Sequence, residues 1–273
     1  MAFEMIFKRK NKKIKNQRKA IRAKLLRSLN LKSINEIQDQ DIFIAAYPKS
    51  GNTWMQNLVA CILLDSTSPL LNQNLVNEII PDVHAKKYYK RIFNTMIFKT
   101  HALPQAQYKK VIHLVRDGRD VMVSYHKMGV NRNLDYPYSL KEMVIEGKGI
   151  SPSKWHEHTR EWINNPHKAD ILTVRYEDLH TQPVAVLQQI CKFINVQMSD
   201  QRLKEIVDHN SIEKLRDRGS EFGMDNDHKW KNKPVTAFFR KGQVGSYQNE
   251  MDEELIRYFN EEAQDELRKF NYS

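Results

Sequence analysis

The sequence predicts a single α/β domain: a central parallel sheet flanked by helices on both faces. Three observations carry this. Four short apolar segments, at 41–46, 96–101, 109–115 and 171–176, read as buried strands. Helix-like stretches alternate with them, the pattern of a parallel sheet covered on both sides. The chain of 273 residues, with ordinary apolar content, is long enough for one sizeable core.

Taken in order, residues 1–30 form a basic amphipathic arm and 31–273 the folded domain. The net charge is +11, and the arm alone, with 11 Lys/Arg and the single acid Glu4, carries +10 of it. The remainder is nearly neutral, and no nucleic-acid partner is expected. Ile14, Ile21, Leu25, Leu26 and Leu29 suit one helix face. That face can lie on anionic lipid, or pack on its own domain through Leu25, Leu26 and Leu29. Its narrowness favours packing. The longest apolar run, Leu58–Leu64, is too short to cross a bilayer, and no secretory signal is read. Cys61 and Cys191 sit in apolar helical contexts and read as buried thiols, which suits a reducing cytoplasm.

The strand Asp41–Ala46 runs into Tyr47-Pro48-Lys49-Ser50-Gly51-Asn52-Thr53-Trp54, and a buried helix follows from Met55. A strand, a small-residue turn and a helix N-terminus make a ready anion site, with Lys49 beside the free N–H groups of Ser50 to Trp54. The P-loop pattern itself is not met: Lys49 precedes the glycine and there is no second glycine. On this stretch alone, a P-loop-like phosphate site and an ordinary βα turn both remain open.

Residues 65–95 read as a polar surface excursion with a helix or two. The second strand ends in Lys99-Thr100-His101, and Pro104 closes the next turn. The third strand gives way to Arg116-Asp117-Gly118-Arg119-Asp120 and a helix from Val121, with Asp120 as its N-cap. Residues 129–154 are loop-rich, and Trp155–Ile163 reads as a helix. The fourth strand ends in Arg175-Tyr176. Helices follow at 183–194 and 199–208, then a mobile loop at 216–237, then the basic Arg240-Lys241-Gly242. One amphipathic helix from Asp252 to Phe270 closes the chain.

Ligands of such sheets bind beyond the carboxyl ends of the strands, where Lys49, Lys99, His101, Arg116 and Tyr176 fall. Arg116 and Ser124 are spaced to reach one phosphate at a helix N-terminus. With Arg240 they form a second anion site beside that of Lys49. A ligand with two anionic ends, such as a nucleotide bisphosphate, is the simplest reading. His156 and His158 lack further ligands at zinc spacing, so no metal is expected.

In four ordered segments between residues 42 and 247 the chain resembles the sulfotransferases that use 3′-phosphoadenosine 5′-phosphosulfate (PAPS). Tyr47–Trp54 is similar to that family's 5′-phosphosulfate loop, and Lys99–Pro104 to the segment carrying its catalytic histidine. His113–His126 is similar to its 3′-phosphate strand and helix, and Phe238–Tyr247 to its C-terminal motif. Gly245-Ser246-Tyr247 stands where the family usually has Gly-Asp-Trp, and Ile212 where an aromatic often stacks on adenine.

The resemblance implies a cytoplasmic transferase moving a sulfuryl group from PAPS to a hydroxyl, or less readily an amine, of a small-molecule, lipid or carbohydrate acceptor. It implies His101 as general base, with Lys49 and Lys99 assisting. Ser50, Gly51, Asn52 and Thr53 would cradle the 5′-phosphate. Trp54 and Tyr176 would contact adenine. Arg116, Ser124, Arg240, Lys241 and Gly242 would hold the 3′-phosphate, and His156 or His158 would line the acceptor pocket. A P-loop-type kinase, or a nucleotide-binding or membrane-docking protein without catalysis, is the alternative.

Overall fold

The computed structural model describes residues 21, 24–26, 28–68, 70–132, 136–217 and 244–272. Its sheet is built from β2 (Ile42–Ala46), β4 (Ile97–Thr100), β5 (Lys110–Val115) and β6 (Asp170–Arg175). The order is β4–β2–β5–β6, and every pairing is parallel. Ala45 lies beside Thr100 and His113, so the strands end at nearly one level. A small antiparallel pair, β1 (Lys32–Ser33) with β3 (Tyr88–Tyr89), lies outside this sheet.

Both faces of the sheet are covered because successive side chains of β2 point oppositely. Ile42, Ile44 and Ala46 pack in one cluster with α1 (Asn52–Leu64) and α7 (Pro183–Phe193). Phe43 and Ala45 pack in another with Phe98, Tyr108 and Trp162. A third cluster joins α3 (Gly118–Arg132) and Trp155 to the C-terminal helices. The remaining helices are α2 (Gln73–Ile79), α4 (Leu140–Glu146), α5 (Trp155–Asn164), α6 (Tyr176–Thr181), α8 (Asp200–His209), α9 (Ile212–Asp217), α10 (Glu253–Glu262) and α11 (Gln264–Lys269).

Three expectations are corrected. The helix after β5 starts at Gly118, so Asp120 lies inside its first turn and is not its N-cap. The C-terminal helix is two helices, capped by Asp252 and broken at Ala263. Of the three leucines expected to pack on the domain, Leu25 and Leu29 are exposed, as is Ile21, and Leu26 alone is partly buried. As expected, the polar stretch 65–95 holds a helix, α2, among its described residues. Residues 1–20 of the arm, and most of the loop expected at 216–237, lie outside the described residues. Both cysteines are buried and in no disulfide, and Cys61 Sγ accepts from Asn210 Nδ2 at 3.3 Å. Among the described residues no helix is long and apolar enough to cross a membrane, and no cluster could hold a metal.

Candidate active site

The turn between β2 and α1 sets one end of the site. Lys49 has φ 73° and Gly51 φ 100°, both left-handed. At Gly51 a side chain is excluded twice over: by that backbone, and because a Cβ would lie 2.6 Å from the Tyr176 ring. Gly51 is also the N-cap of α1 and offers no side-chain hydrogen bond, so the first-turn N–H groups are left for another acceptor. Ser50 is fully buried, and its Oγ has no hydrogen-bond partner among the described residues. A buried hydroxyl without a partner is costly unless a ligand supplies one.

Arg116 leaves β5 beside this turn. Its Nη1 donates to the Lys49 carbonyl at 3.4 Å, and its guanidinium lies 4.4 Å over the Tyr176 ring. Its Nη2 is 3.6 Å from Asp120. Trp54 donates its indole N–H to the Asn210 carbonyl at 2.8 Å and meets Tyr176 edge-on.

The other end is built where β4 stops. His101 Nδ1 is 2.8 Å from the Ala46 carbonyl oxygen and 3.2 Å from Asn52 Nδ2. A carbonyl only accepts, so the shorter contact puts the hydrogen on Nδ1 and leaves Nε2 with the lone pair. Burial, and then the charge of Lys99, push the imidazole down to about 4, so it is neutral near pH 7.

Two residues that the sequence reading missed complete this end. Pro81–Val83 lies along β4: Lys99 N donates to Pro81 O at 2.9 Å, and Val83 N to Lys99 O at 3.0 Å. This delivers Asp82 to Lys99, with Oδ2 3.1 Å from Nζ. Burial raises the Asp82 carboxyl, but Lys99 and the His84 N–H outweigh it and hold it low. Asp82 Oδ1 accepts the His84 N–H at 2.8 Å. His84 Nε2 in turn accepts the His101 backbone N–H at 3.0 Å. One carboxylate thus touches Lys99 and, through His84, braces the backbone of His101. The only sequence signal was a polar Asp82-Val83-His84 after Pro81, which is weak.

A single cavity of about 740 Å³ connects the two ends. Lys49, Gly51, Asn52, Thr53 and Trp54 line it, as do Lys99, His101, Arg116, Ser124 and Tyr176. Ser50 sits buried beside it, outside the lining. Arg240, Lys241 and Gly242 lie outside the described residues. His156 and His158 do not line the cavity: both are buried, with His158 Nε2 3.3 Å from the Ala102 carbonyl. Leu103, Pro104, Met128 and Pro152 add apolar lining to the cavity. The arrangement offers cations and N–H groups to an anion at one end, and a neutral imidazole base beside an ammonium at the other.

Comparison with known proteins places this geometry in context. The family model for the sulfotransferase domain matches residues 39–271. Sulfotransferase 1B1 of Mus musculus is 25% identical over 243 residues, which cover 81% of each chain. Two solved structures share the fold. The crystal structure of retinol dehydratase in complex with androsterone and the inactive cofactor PAP aligns with a TM-score of 0.63 at 21% identity, over 85% of this chain and 82% of that one. Mouse sulfotransferase SULT7A1 complexed with PAP aligns with a TM-score of 0.62 at 19% identity, over 85% of each chain.

Proposed function

The chain belongs to the sulfotransferase domain family, and from that premise we propose that it moves a sulfuryl group from PAPS to a hydroxyl of a small-molecule acceptor. A hydroxyl on a lipid or carbohydrate fits the same scheme, and an amine is a less favoured target. The observation that carries the reading is the one cavity, with Lys49, Arg116 and Ser124 at one end and Lys99 and His101 at the other. The PAP reported with the two structural neighbours supports the same donor.

The residues present fit such a donor. The buried, unpartnered Ser50 hydroxyl and the uncapped start of α1 suit a 5′-phosphate. Gly51, Asn52 and Thr53 complete that cradle, and Lys49 neutralises charge on the oxygen that leaves sulfur. Arg116 and Ser124 take the 3′-phosphate, with Arg240, Lys241 and Gly242. Trp54 and Tyr176 flank the adenine. Sulfuryl transfer needs an in-line nucleophile and neutralised oxygens more than covalent help from protein. His101 Nε2 takes the proton of the acceptor hydroxyl as its oxygen bonds to sulfur. Lys99 steadies the transferred group. Lys and Arg supply the positive charge, so the scheme uses no metal. The enzyme works in the cytoplasm as one domain, 31–273. Its basic arm, 1–30, touches anionic membrane weakly at most.

Thermal shift tests the donor first. PAP at about 100 times its Kd stabilises a binding protein by about 2.7 kcal/mol, whereas ATP is expected to do much less here. Sulfur-labelled PAPS, screened against hydroxylated acceptors, then tests the transfer. Stabilisation by ATP but not PAP would sink the proposal.

A further inference from the structure

Asp120 takes no part in the chemistry above, yet its carboxylate is fully buried next to the cationic end of the cavity. Its Oδ2 accepts the Gly245 N–H at 2.8 Å and lies 3.6 Å from Arg116 Nη2. Its Oδ1 accepts from Ser246 Oγ and from the Tyr247 N–H, each at 3.0 Å. The Tyr247 ring is covered in turn by the Arg119 guanidinium, 4.3 Å above it. Ser246 lines the same cavity as Arg116 and Ser124. An acid beside a phosphate site is costly by charge alone, since it lowers the local positive potential. Its geometry offers a compensating gain. A long guanidinium is held in one orientation before the ligand arrives, and a turn far away in sequence is tied to the same helix.

We propose that Asp120 is a positioning residue that holds Arg116 and the Gly245–Tyr247 turn as one preformed unit for the 3′-phosphate of the nucleotide. The proposal rests on the reading of the cavity as a PAPS site. Charge and positioning predict opposite signs for Asp120→Asn. If the carboxylate acted only through charge, the variant would bind PAP more tightly. If it positions Arg116, PAP binding weakens by about tenfold, the scale of one lost charge-assisted hydrogen bond.

Isothermal titration with PAP, and with adenosine 5′-phosphosulfate as a ligand lacking the 3′-phosphate, reads this directly. The expected result is weaker PAP binding, with the second ligand unchanged within about twofold. Ser246→Ala removes one of the three donors to Asp120 and is expected to act in the same direction but less. It carries the test if Asp120→Asn does not fold. Equal or tighter PAP binding by the folded variant overturns the inference, as does an equal loss for both ligands. Failure of the wild-type chain to bind PAP overturns the PAPS reading itself, and this inference with it.

Discussion

At the proposed nucleotide end of the cavity, four side chains sit on a strand end or on the helix that follows, Lys49 after β2, Arg116 and Ser124 after β5 and Tyr176 after β6, and the Gly245–Tyr247 turn joins them through Asp120. At the proposed acceptor end, Asp82 and His84 come from irregular segments, and Lys99 and His101 belong to a strand or its end. The first end is fixed mainly by short motifs on the rigid sheet. The second is assembled from distant pieces that meet only after folding. On the proposed reading, the difference teaches where variation is tolerated: donor binding is tied to the scaffold, and acceptor choice is left to the connections.

Substitutions can break or sharpen this division. The largest effect is expected for His101→Ala: turnover falls about 10²–10⁴-fold while PAP binding is retained. Equal loss of both would make His101 structural and dissolve the boundary between the ends. Because burial pushes His101 down to about 4, wild-type turnover stays insensitive to this group from neutral pH downward and falls only as pH drops through about 4. The base form is the active one, so its loss lies on the acid side. Lys49→Ala is expected to cost about 10²–10³ in turnover, the scale of one lost donor to developing charge. Single-turnover kinetics with bound PAPS separates that from weaker binding. Asp82→Asn keeps an oxygen for the His84 N–H but removes the charge facing Lys99. About a tenfold loss of turnover at unchanged PAP affinity is expected. Unchanged turnover would reduce Asp82 to a sheet contact.

The same division decides what the sequence could reveal. β2, β4 and β5 are short, apolar and almost wholly buried, so their residue types carry the signal directly, and their ends place Lys49, Lys99, His101 and Arg116. Asp120 was misplaced because an acid near a helix start looks the same whether it caps its own helix or accepts bonds from residues more than a hundred positions away. The break at Ala263 has no Gly or Pro to announce it. Asp82 and His84 were illegible for a stronger reason. Pro81–Val83 takes its extended form from pairing with β4, and nothing local in its sequence encodes that partner. Leu25 and Leu29 were misjudged because helical spacing states which residues share a face, not what the face meets.

The backbone contacts of Pro81 and Val83 with Lys99 have one more effect. β4 is one of the two edge strands of the sheet, and its outer side is the kind of edge on which a second molecule could add a strand. Pro81–Val83 blocks the end of that edge, and Pro81 brings no N–H to offer a newcomer. Redesigning this segment therefore trades against solubility. Variants that loosen it are expected to aggregate before they lose their fold.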